Sequence, residues 1–171
     1  MDSLEDVIQS IHNSKKTLYI LCGLPYSGKT YLALGIVKKT KCTYISIDTI
    51  LKDLGYDWDS NTLPNEQGWK EVFSTTYLQS QEALKNDSNV LYDSTNHTKI
   101  SRDALRTIAH EVGADTKVIY IDVPIDVVWK RWEENRINKN RSVVNENLVK
   151  MTLKAFEAPT EDEDVLTINN S

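Results

Sequence analysis

The chain has 171 residues, 40% hydrophobic and 26% charged, a balance that excludes wholesale disorder and suits one folded core. A formal net charge of −5 and a pI near 5.2 exclude a global field drawing the protein to nucleic acid or an anionic membrane, and leave only a local basic patch for that purpose. The acidic opening MDSLEDVIQS does not read as a secretory leader, and no apolar run reaches membrane-spanning length. A cytoplasmic protein with no membrane partner is therefore expected, with residues 1–171 forming one domain and Cys22 and Cys42 as reduced, buried thiols.

Leu4, Val7, Ile8 and Ile11 recur at helical spacing and predict a helix over 4–13 beside the first strand. That strand, Leu18 to Cys22, ends in Gly23-Leu24-Pro25-Tyr26-Ser27-Gly28-Lys29-Thr30, which fits G-x-x-x-x-G-K-[ST] at every fixed position. The residues YLALGIVKK then continue as a helix, so strand, loop and helix stand in the order that the motif requires. Backbone N–H groups can curl round a phosphate only where glycine removes the obstructing Cβ, and the helix start adds the positive end of its dipole. Gly23, Tyr26, Ser27, Gly28, Lys29 and Thr30 are thus the candidate phosphate-binding residues. Lys29 would neutralise β- and γ-phosphate charge and the Thr30 hydroxyl would ligate Mg²⁺.

Cys42 to Ile47 reads as a second buried strand ending at Asp48, followed by a short helix that stops near Gly55. Ligands bind outside the carboxyl ends of strands in open α/β sheets, which places Asp48 where chemistry would happen; an N-cap role is compatible with that. Gly55 to Pro64 is a polar loop, with Tyr56 and Trp58 set among Asp57, Asp59 and Asn61, that could line an acceptor pocket. Asn65 caps a long helix to about Asn86, whose stripe of Trp69, Val72, Phe73, Thr76, Tyr77 and Leu84 reads as core rather than as a base-stacking platform.

Asn89 to Asp93 is a third strand, running into Asp93-Ser94-Thr95-Asn96. Asp93 stands where a Walker-B carboxylate would orient Mg²⁺, the alternative being an Asp-Ser turn, and His97 is a loop histidine. A helix over Ile100 to Val112 stops at Gly113, and Thr116 to Val123 is a fourth strand. Beyond Pro124 a helix runs through Arg136, Asn145 to Phe156 is the last helix, and the acidic TEDED precedes an edge strand over Val165 to Ile168. Alternating strands and helices predict an α/β fold, a three-layer sandwich round a central, mostly parallel sheet.

Lys130, Arg131, Arg136, Lys139 and Arg141 concentrate positive charge in an acidic chain. One reading is a solvated helix face paired with Glu133 and Glu134. The other is a mobile lid, about 131–144, with Arg131 and Arg141 on the nucleotide and Arg136 on the transferring phosphoryl group.

These features together resemble the small P-loop kinases and predicted ATP-binding proteins grouped with the kinase domain of polynucleotide kinase. Chloramphenicol phosphotransferase and zeta-type toxins are more distantly similar. The matching features are GLPYSGKT, Asp48 in YISIDTIL, DSTN at Asp93 to Asn96, Arg102, RWEENR at Arg131 to Arg136, and FEAPTEDE at Phe156 to Glu163. The resemblance implies a P-loop kinase fold, Mg-ATP as donor, Asp48 as general base on an acceptor hydroxyl, and lid arginines between Arg131 and Arg141. Where polynucleotide kinases of this type carry an arginine one turn after the catalytic aspartate, this chain has Leu51. Small-molecule or nucleoside-like acceptors are therefore expected ahead of a polynucleotide 5′-hydroxyl, with nucleic acid not the favoured partner. An ATPase or nucleotide switch without an acceptor is the remaining alternative.

Overall fold

The structure, a computed structural model, describes residues 1–60 and 62–170, so Asn61 of the polar loop lies outside the described residues. Its five strands are β1 (Thr17–Cys22), β2 (Thr43–Ser46), β3 (Val90–Asp93), β4 (Asp115–Asp122) and β5 (Val165–Asn169). They form an all-parallel sheet in the order β2-β3-β1-β4-β5. Parallel neighbours need crossover connections, which the helices supply: α1 (Leu4–Asn13), α2 (Lys29–Lys39), α3 (Ile47–Asp53), α4 (Glu66–Lys85), α5 (Lys99–His110), α6 (Ile125–Asn138) and α7 (Glu146–Ala155). Among the described residues no helix is long and apolar enough to cross a membrane.

The three layers follow from the two-residue period of the strands. Tyr19, Leu21, Ile119 and Ile121 face one side and pack on Val7 and Ile11 of α1, Ile36 of α2, Val128 of α6 and Val149 of α7. Leu18, Ile20, Cys22 and Val118 face the other and pack on Leu51 of α3, Val72 of α4 and Leu105 of α5. All six residues of β1 are buried, as expected of a central strand covered on both faces.

Local signals set the helix ends. Asn65 Oδ1 accepts the Gly68 N–H, Thr98 caps α5, and Gly113 beyond α5 takes φ +65. One boundary differs from expectation: β2 stops at Ser46 and Ile47, expected on the strand, already begins α3, so Asp48 is the second residue of the helix. Burial decides this, because Ile47, Ile50 and Leu51 join the core only along a helical face. The α4 stripe is mixed: Val72, Thr76 and Leu84 are buried, whereas Phe73 remains exposed in a row of tilted rings from Trp58 through Trp69 to Tyr77.

At the free edge of the sheet, Asp2 N donates to Thr167 O (2.8 Å) and Thr167 N donates to Asp2 Oδ2 (2.7 Å).

The acidic segment before β5 forms a 3₁₀ turn, Glu161–Glu163, that puts a carboxylate into the interior. Arg102 of α5 is fully buried and forks onto Glu163 through Nε and Nη2, both at 2.8 Å, while its Nη1 donates to Asn96 O and Glu157 O at 3.0 Å. Arg106 also pairs with Glu163. Burial alone would raise the Glu163 pKa, but the bonds from Arg102, Arg106 and Thr160 N outweigh it and hold the carboxyl at about 2, below its ordinary 4.5. Its folded pKa being depressed, this group contributes stability above about pH 4.5 and loses it as pH falls towards 2. Arg102→Ala should cost about 3–5 kcal/mol in urea unfolding at pH 7, since it strands a buried carboxylate; a loss below 1 kcal/mol would show that the pair is not a structural anchor.

Candidate active site

The phosphate loop is shaped by close approaches. A Cβ on Gly23 would lie 2.8 Å from the backbone oxygen of Ile121, and one on Gly28, whose φ is +95, would lie 2.4 Å from Asn170 Nδ2. Tyr26 holds φ +63, a left-handed conformation that costs a non-glycine residue about 1–2 kcal/mol, with its ring 5% exposed. Gly23 N donates to Thr95 O (3.2 Å), which ties the loop to the turn after β3. Lys29 is 8% exposed and its Nζ donates to Gly23 O (2.9 Å) and Leu24 O (2.8 Å). Among the described residues Ser27 Oγ is a buried oxygen with no hydrogen-bond partner. A glycine-bounded loop at a helix start, with a buried ammonium and a spare hydroxyl, fits a phosphate group.

Carboxylates face this loop. Asp93 ends β3 and accepts the Tyr44 hydroxyl (2.6 Å); burial raises its pKa against that bond and against the lowering influence of Lys29 and the Thr30 side chain. Thr30 and Asp93 are hard oxygen donors side by side, which fits Mg²⁺. Asp48 is exposed and its Oδ1 accepts the Trp58 indole N–H (3.0 Å). Burial lowers the Lys29 pKa from 10.5 to about 8; Asp93 and Asp48 act to raise it and Arg141 to lower it, so the four groups share one electrostatic neighbourhood.

The arginines divide. Arg141 stacks over the Tyr26 ring at 4.0 Å and lines a cleft of about 390 Å³ with Tyr31, Asn138 and Asn170. Arg131 lines the same cleft but braces the loop from behind, its Nη1 donating to Tyr26 O and Ser27 O (3.3 Å) and its Nη2 to Asn170 O (2.7 Å). The expectation that Arg136 faces the phosphoryl group is not met in this arrangement: α6 continues unbroken to Asn138, which turns Arg136 outward to pair with Glu133 over Trp132. Leu51, one turn after Asp48, is 1% exposed in the core, so that position offers no group to an acceptor.

Sequence reasoning missed Asn135 and Asn170. Asn135 is buried and clasps the segment after α6, accepting Arg141 N (3.1 Å) and donating to Arg141 O (3.1 Å). Its signal was a polar residue on the stripe that Val128 and Trp132 define. Asn170 Nδ2 donates to Ser27 O (2.7 Å); a residue after an edge strand carries no local pattern that announces such a contact.

A parallel sheet in this order, with a Gly-Lys-Thr loop after its central strand and a carboxylate ending the strand beside it, defines a P-loop protein of the kinase-like type. More narrowly, the chain belongs to the KTI12 family, described as chromatin associated protein KTI12, which matches residues 17–164. It is 32% identical over 148 residues to an L-seryl-tRNA(Sec) kinase of Methanococcus maripaludis, covering 83% of this chain and 53% of that protein. The chain thus spans about half the length of that curated relative. Kti12 of Chaetomium thermophilum, solved in complex with ADP-AlF3, shares the fold with TM-score 0.64 at 19% identity, over 89% of this chain and 88% of that one. The Pnkp1/Rnl/Hen1 RNA repair complex does so with TM-score 0.70 at 21% identity, over 81% and 43%.

Because Lys29 is depressed when folded, it costs stability below about pH 8, where both folded and unfolded states are charged, and that cost vanishes by about pH 10.5. Wild type should therefore gain ~3 kcal/mol relative to Lys29→Met between pH 8 and 10.5 in chemical denaturation. A flat difference would mean that the ammonium is solvated.

Proposed function

We propose that this chain is an ATP-dependent phosphotransferase acting on a hydroxyl of a small-molecule or nucleoside-like acceptor, with residues 1–171 as one catalytic unit and 131–144 as its lid. The observation that carries this reading is the exposed Asp48 carboxylate in the first turn of α3, just past the end of β2, where Ser46 is paired with Asp93 on the strand next to the one that leads into the phosphate loop. The phosphate loop would seat the triphosphate, with Lys29 and Arg141 balancing its charge and Thr30 and Asp93 holding Mg²⁺, which when bound shields the phosphate oxygens. Asp48 would take the acceptor proton as the hydroxyl oxygen bonds to the γ-phosphorus and the bond to ADP breaks. The relative named as an L-seryl-tRNA(Sec) kinase supports a hydroxyl acceptor. The buried Leu51 weighs against a 5′-hydroxyl polynucleotide.

A second reading, a nucleotide switch that hydrolyses ATP without an acceptor, is favoured by the Trp58–Asp48 hydrogen bond, which already occupies one carboxylate oxygen. Transfer of labelled γ-phosphate to seryl-tRNA, a 5′-hydroxyl oligonucleotide and a set of small alcohols separates the readings. Asp48→Asn should lower transfer about 10²–10⁴-fold while leaving ATP affinity within a few-fold. Hydrolysis indifferent to every acceptor and to Asp48→Asn would establish the switch, and normal ATP binding by Lys29→Ala would refute both.

A further inference from the structure

The loop between α3 and α4 touches both Asp48 and the segment that follows α6. Asp59 Oδ2 accepts the Ser142 hydroxyl (2.9 Å) and its Oδ1 accepts Val143 N (3.1 Å), while the preceding residue, Trp58, donates to Asp48. The carboxylate is presented by an organised turn. Asp57 accepts Asp59 N (3.3 Å) and Ser60 N (3.2 Å), and its backbone exchanges two hydrogen bonds with Thr62 (2.9 and 3.0 Å).

Ser142 and Val143 directly follow Arg141. Fixing their backbone fixes the Cα from which the Arg141 guanidinium reaches over Tyr26 at 4.0 Å. The other contacts on this segment come from α6 and the phosphate loop: Asn135 on Arg141 and on Ser142 O (3.4 Å), Trp132 Nε1 on Val144 O (2.9 Å), and Val144 N on the Tyr26 hydroxyl (3.2 Å). The Asp59 pair is the one that crosses from the acceptor side. It is exposed, so water competes for it and its contribution is small enough to be made and broken reversibly.

We propose that Asp59 is a positioning residue, a latch that holds the lid segment against the phosphate loop and keeps Arg141 seated over Tyr26. Its effect on nucleotide affinity rests on the nucleotide-site reading above, but its effect on the lid does not. A lid that is closed only part of the time weakens apparent affinity by the fraction closed.

Two measurements on the free 171-residue chain test this. Limited trypsin digestion reports opening at the Lys139 and Arg141 bonds. Asp59→Ala should be cut there roughly tenfold faster than wild type, with other sites unchanged, and Ser142→Ala, which keeps the Val143 bond, should fall between. Equal cleavage in all three proteins overturns the latch. ATP titration by calorimetry should then show several-fold weaker binding by Asp59→Ala, partly restored in Asp59→Glu. If wild type and Asp59→Ala bind ATP equally, the positioning role is overturned while the nucleotide site stands. If wild type binds no ATP, the nucleotide site itself fails and digestion alone decides the latch.

Discussion

The buried guanidinium of Arg102 is the constraint on which the nucleotide end of the molecule depends. Its Nε and Nη2 go to Glu163 and its Nη1 to two backbone oxygens, of Asn96 and Glu157, so a single side chain joins α5, the turn after β3 and the segment leading to β5. Asn96 in turn donates to Leu21 O (2.7 Å), and its neighbour Thr95 receives Gly23 N. The base of the phosphate loop is thus set by hydrogen bonds that end on one cation. Replacing Arg102 by lysine would keep the charge and lose the fork, because an ammonium cannot face a carboxylate and two carbonyls in one plane.

Above that base the loop is stretched between opposing demands. Burying Lys29 disfavours its charge, while the carbonyls of Gly23 and Leu24 and the fields of Asp93 and Asp48 favour it. Tyr26 is held in a left-handed conformation by contacts on both its backbone and its ring. Sites of this kind commonly retain such tension because the surroundings over-determine the backbone.

Much of the fold was legible from local pattern. The phosphate loop announces itself through fixed glycines, the strands through short apolar runs, and the helix ends through Asn65 and Gly113, because each obeys rules that act within a few residues. The positions of Asp48 and Asp93 at the ends of neighbouring strands were legible because strand ends in parallel sheets are predictable places. What stayed hidden depends on long-range geometry. Whether Arg131, Arg136 or Arg141 faces the cleft turns on where α6 ends, and an unbroken helix directs Arg136 to solvent. The sequence placed TEDED before an edge strand but left the partner of Glu163 unseen, since no sequence window reveals that Arg102, 61 residues earlier, lies beneath it. Asp59 meets Ser142 across 83 residues for the same reason.

The pairing of Asp2 with Thr167 has a practical meaning. An outermost parallel strand offers a row of unpaired amides to any other extended chain, and here one residue near the amino terminus occupies part of that row. Losing that contact therefore bares the strand edge and alters the colloidal behaviour of the preparation. Just past the end of the same strand Asn170 holds Ser27 O, so a disturbance there passes to the phosphate loop.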